Sequence, residues 1–160
     1  MSLMRVYAGT PARVVVPNPR YRRDGESDAD FLRRIASQAE AADPTLTAGV
    51  NVDSTALPPD RDFRNAWRVG NGAVAIDLSA AREIHRTHLR TARAPKLADL
   101  DALYMRELER GPQGRPQDIA DQKQVLRDLP QDPNIESAAT ASALRALWPA
   151  ALLGDTPYRG

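Results

Sequence analysis

Apolar positions divide the chain into short extended runs near its start and longer helical stripes toward its end. Residues 5–8 and 13–16 read as two strands, separated by the turn Gly9-Thr10-Pro11, with Pro17-Asn18-Pro19 stopping the second. Phe31, Leu32, Ile35, Ala36 and Ala39 recur at three-four spacing and predict a helix that ends near Asp43-Pro44. Ser27 is its expected N-cap, and Asp28 and Asp30 place carboxylates in the first turn, where the helix dipole favours them. Residues 47–52 alternate loosely and predict a further strand. Met1-Ser2-Leu3 reads as a leader ahead of a second start at Met4 and is set aside from the fold.

The rest of the chain is organised around residues 60–109. Residues 64–69 and 73–77 are β-compatible runs, and Gly70-Asn71-Gly72 between them tolerates positive φ, so a β-hairpin is expected. Ser79 is the expected cap of a helix opening at Ala80 and running to Glu109, with Pro95 kinking or briefly breaking it. Before Pro95 one face carries Ala81, Ile84, His88 and Ala92, and another carries Arg82, Arg86, Arg90 and Arg93. After Pro95, Leu97, Leu100, Tyr104 and Leu108 form the most regular apolar stripe of the chain. The thinly apolar first half needs cover, for which Trp67 of the hairpin is expected near Ile84 and His88.

Beyond the loop at residues 111–116, Pro116 suits the first position of a helix carrying Ile119, Lys123, Leu126 and Leu129 and stopping at Pro130. Gln131-Asp132-Pro133-Asn134 reads as a turn, and a last short helix capped by Ser137 or Thr140 carries Leu144, Leu147 and Trp148 up to Pro149. The fold class expected is α+β: short N-terminal strands with one helix and a hairpin, then a long kinked helix and two C-terminal helices. Two parts follow, residues 1–78 and residues 79–160, expected to pack as one unit.

Composition narrows the function. At 160 residues, 42% hydrophobic and 27% charged, the chain has the make-up of a soluble globular protein. Two Trp, two Phe and four Tyr predict a modest core rich in alanine. With 22 Lys and Arg against 21 Asp and Glu, the whole molecule does not suit a general polyanion, so any nucleic-acid reading rests on local clusters. Those are the stripe Arg82, Arg86, Arg90 and Arg93, joined by Arg20, Arg22 and Arg23, which are otherwise a solvated or partner-facing surface. The absence of cysteine excludes disulfides and thiolate metal sites and fits a reducing compartment. No apolar run approaches the length of a membrane span, which predicts a cytoplasmic protein.

Catalytic patterns are absent from the sequence. His85 and His88 lie three apart on one helix, with Glu83 or Asp77 to complete a shell, but without HExxH or cysteine they read better as a capping or core-edge pair than as metal ligands. Gly70-Asn71-Gly72 lacks the third glycine and the helix that a phosphate loop needs. The acidic pairs Asp28 and Asp30, and Asp99 and Asp101, are explained by dipole compensation. No enzyme, cofactor or metal is expected.

Several stretches carry a resemblance. Asp60-Arg61-Asp62-Phe63-Arg64-Asn65-Ala66-Trp67, the strand ending in Asp77, Ala81-Arg82-Glu83-Ile84-His85-Arg86, and Lys123-Gln124-Val125-Leu126-Arg127-Asp128-Leu129-Pro130 with the later Trp148-Pro149 together resemble uncharacterised tail-region proteins of tailed bacteriophages. Residues 124–130 and the Trp-Pro ending are also similar to tail fibre assembly proteins. The resemblance spans residues 26–149 and implies a phage or prophage product that helps tail fibres fold, trimerise or attach, or that is a minor virion component. It implies a tail or tail-fibre protein as partner, and action in the host cytoplasm during assembly. Leu97, Leu100, Tyr104 and Leu108 are the expected contact face, for a fibre partner or for self-association.

Overall fold

The computed structural model describes residues 3–9 and 11–159. Met1 and Ser2 of the expected leader, and Thr10 of the first expected turn, lie outside the described residues. Leu3, set aside with them, opens the first strand opposite Asp53. The chain is mixed helix and strand, an α+β fold, and divides into two compact units, Met1–Ala81 and Arg82–Gly160.

In the first unit, strands β1 (Leu3–Tyr7), β2 (Arg13–Val15) and β3 (Val50–Asp53) form an antiparallel sheet in the order β2-β1-β3. Helix α1 (Asp28–Ala42) connects β2 to β3, and Ser27 caps it by accepting from the Asp30 N–H at 3.1 Å. Side chains alternate along β1, as the pleat requires. Met4 and Val6 join a core with Val52, Leu57, Trp67 and Val74. On the other face, the Tyr7 hydroxyl donates to Glu40 of α1 at 2.9 Å, and Arg5 Nε donates to the same carboxylate at 3.2 Å.

The expected hairpin is present as β4 (Trp67–Gly70) and β5 (Ala73–Ile76). Gly70 pairs with Ala73, which leaves a two-residue loop of Asn71 and Gly72 with φ of 52° and 74°. Both central residues then have the positive φ of a type I′ turn, whose twist matches that of the strands. Residues Arg64–Ala66, expected as strand, instead form a 3-10 turn closed by Ala66 N–H to the Phe63 carbonyl. Within the first unit Trp67 belongs to the core with Met4, Val6, Val52, Leu57 and Val74, and within the second His88 meets the ring of Tyr158 edge-on at 5.5 Å.

Helix α2 (Leu78–Glu109) starts two residues earlier than the expected Ala80. Asp77 is the cap, because its Oδ1 accepts from the Ser79 and Ala80 N–H groups at 2.9 and 3.2 Å. The helix passes through Pro95 without a break. In the second unit it is followed by α3 (Pro116–Asp128), α4 (Pro133–Ser137), α5 (Ala141–Ala146) and α6 (Ala150–Leu153). The two expected C-terminal helices are therefore four among the described residues. The additional ones, α4 and α6, span five and four residues, too few to show a 3.6-residue period. Thr140, of the two candidate caps, caps α5 by accepting from Ala143 N–H at 3.0 Å. The buried residues of this unit include His85, Leu89, Leu126, Ile135, Leu144, Leu153 and Tyr158.

Candidate contact surface

The arginine stripe is turned to internal use. Arg82 donates to the carbonyls of Ile135 and Ala138 at 3.1 and 3.0 Å, and Arg86 Nε donates to that of Pro130 at 3.2 Å. Arg93 Nη1 reaches the Leu126 carbonyl at 3.1 Å and that of Arg127 at 2.5 Å. These carbonyls end α3, the 3-10 turn that follows it, and α4. The last carbonyls of a helix have no partner within it and carry the negative end of its dipole, so a guanidinium there satisfies both. Arg86 also pairs with Glu83 and Glu136, and its hydrogen bond holds the Glu136 carboxyl below the usual range. Arg90 differs, since its side chain is 51% exposed and its ion pair with Glu83 is long, at 3.9 Å.

The N-terminal cluster is similar. Arg22 pairs with Asp28 at 2.7 Å and donates to the Glu26 carbonyl, while Arg34 pairs with the Glu26 carboxylate at 2.8 Å and pulls its pKa down to about 2. Arg20 and Arg23 are exposed.

His85, read from sequence as a capping or core-edge residue, is fully buried. Its Nδ1 lies 2.5 Å from the Tyr158 hydroxyl, its ring stacks on that of Tyr158, and Trp148 meets both rings edge-on. Burial first, then the charges of His88 and Arg86, push its pKa down to about 4, so it is neutral near pH 7. Among the described residues, no group of three or more His, Asp or Glu is placed to hold a metal.

The apolar stripe is only partly open. Leu97, Leu100 and Tyr104 are half-buried, whereas Leu108 is 47% exposed. Lys123 of α3 lies over the Tyr104 ring at 5.0 Å and bridges to Asp101 at 2.5 Å, so Tyr104 is covered from within the chain. Leu100 lines a groove of about 420 Å³ with Val125, Leu126, Ala151 and Leu152, edged by Lys96, Asp99 and Gln122. Val125 and Leu152 are exposed large apolar residues, as are Leu103 and Met105 on α2. The candidate surface is thus assembled by α2, α3 and α6 rather than by one helix. Val125 and Leu152 were not among the residues expected there, because each stands outside any extended apolar period and is brought to Leu100 only by tertiary packing.

No helix among the described residues is long and apolar enough to cross a membrane. Compared with protein-family models, with curated proteins and with solved structures, the chain matches none of them.

Proposed function

We propose that this chain is a non-enzymatic phage or prophage protein that acts through protein-protein contacts in tail or tail-fibre assembly, or as a minor virion component. The resemblance at residues 60–67, 123–130 and 148–149 supports the tail setting. The contact reading is carried by one observation: Leu100, Val125 and Leu152 line a groove that three helices leave open, with Met105 and Leu108 exposed on α2. Apolar area held open to water costs free energy until a partner covers it. Nucleic-acid binding through the arginine stripe is the weaker reading, since the heads of Arg82, Arg86 and Arg93 serve backbone carbonyls. The work is expected in the host cytoplasm while particles assemble.

Co-expression with the tail-fibre protein of the same phage or prophage tests this. Soluble fibre trimer is expected to rise when the chain is present and to return to its chain-free level with a Val125→Glu, Leu152→Glu variant of unchanged circular dichroism. A trimer yield indifferent to the chain overturns the fibre-assembly reading.

A further inference from the structure

A second groove lies wholly within the first unit, beside the edge strand β2. Its volume is about 590 Å³, within the range of ligand sites, and its floor is formed by Met4, Val14, Leu57 and Trp67. Arg61 and Arg64 stand at its side, and a third lining arginine, Arg13, is held by Asp43 and Thr45. No carboxylate occurs among the described lining residues. Arg61 lies over the face of the Trp67 indole at 5.1 Å. Two cations beside an apolar floor call for an anion that also carries apolar surface.

The backbone indicates which kind. β2 has β1 on one side, and on the other the Ala12 N–H just before it already donates to the Trp67 carbonyl at 3.2 Å, so an extended segment laid in the groove runs beside Val14 and Val16 over a floor for alternate side chains. The Trp67 indole N–H, although the ring is only 3% exposed, has no acceptor among the described residues. Buried donors are nearly always paired, and the backbone carbonyls of an extended peptide supply acceptors along its whole length, where a small anion supplies them at one point.

We propose that this groove binds an acidic, apolar peptide segment of a partner protein, in extended form along β2, with its carboxylates on Arg61 and Arg64. The site is independent of the three-helix surface.

The test is an NMR titration of the isotope-labelled full chain, following the Trp67 indole N–H. The probe is a capped five-residue peptide alternating aspartate and leucine. Controls are the same peptide with asparagine for aspartate, and N-acetyl-leucine. The acidic peptide is expected to shift the indole signal with a Kd of about 1 mM or tighter. Binding should weaken about tenfold or more in Arg64→Gln and again in an Arg61→Gln, Arg64→Gln variant. Arg64 is exposed, so its single variant keeps the fold and carries the result if the double variant unfolds. No shift at about 10 mM peptide, equal affinity for the asparagine peptide, or indifference to Arg64→Gln each overturns the proposal. Equal affinity for N-acetyl-leucine overturns the peptide assignment and makes the groove a small-carboxylate site.

Discussion

His85 and Tyr158 lie 73 positions apart, yet the imidazole Nδ1 and the phenol oxygen meet at 2.5 Å with their rings stacked 7° from parallel. This contact ties the segment after α6 to the first third of α2. A second bond, Trp148 Nε1–H to the Gly154 carbonyl at 3.0 Å, holds the same segment. His85 Nε2 is buried without a partner among the described residues, so the Tyr158 hydroxyl is the imidazole's one hydrogen-bonding contact there.

Tyr158→Phe should therefore be costly despite keeping the ring. It leaves a buried imidazole nitrogen unpaired, which costs roughly 1–3 kcal/mol. Urea unfolding at pH 7 checks this. An unchanged midpoint would mean that the hydroxyl contributes nothing to the fold.

The same histidine sets a pH dependence. Its folded pKa of about 4 lies below its ordinary value of 6.5, so between these values the unfolded chain binds a proton that the folded chain refuses. Stability is then full above about pH 6.5 and falls as the pH drops toward 4, by roughly 3 kcal/mol in all. The Glu26 carboxyl, depressed to about 2 from 4.5, loses its contribution only below pH 4.5, so the two windows overlap only between about pH 4 and 4.5. Unfolding midpoints measured at half-unit steps should slope between pH 6.5 and 4.5, and His85→Phe should flatten that slope. A slope unaltered by the substitution would assign it to other groups.

Arg93 and Arg90 are three apart on α2 but should behave differently. Arg93→Ala strips donors from two carbonyls at the end of α3 and should cost about 1–3 kcal/mol. Arg90→Ala removes an exposed charge and should stay within about 0.5 kcal/mol. Retention of duplex DNA on filters at physiological salt should be weak and salt-sensitive for the parent chain. Tight retention that is lost in Arg90→Ala would restore the nucleic-acid reading.

The stripe after Pro95 should divide in the same way. Met105→Glu with Leu108→Glu alters exposed positions and should leave thermal unfolding nearly unchanged. Leu100→Glu with Tyr104→Glu places charges at half-buried positions, one of them beneath Lys123, and should lower the midpoint clearly. Equal midpoints for the two variants would mean that the whole stripe faces water.

Local signals were sufficient for the elements that local chemistry specifies. Ser27 before two acids, the Asn71-Gly72 turn between β-compatible runs, and Pro116 at a helix start each decide their own backbone within a few residues, and α1, the hairpin and α3 stand where these signals put them. Caps were less certain, because Asp77 and Ser79 both suit an N-terminus and only the strand that delivers Asp77 settles between them. The roles of the long side chains were out of reach. A stripe of four arginines reads alike whether it faces solvent or the ends of other helices, and α4, whose carbonyls receive Arg82, is too short to be seen in the pattern. The groove shared by Leu100, Val125 and Leu152, and the imidazole buried against Tyr158, bring together residues from separate helices and loops. Their proximity is a product of packing, which no periodicity within a single segment encodes.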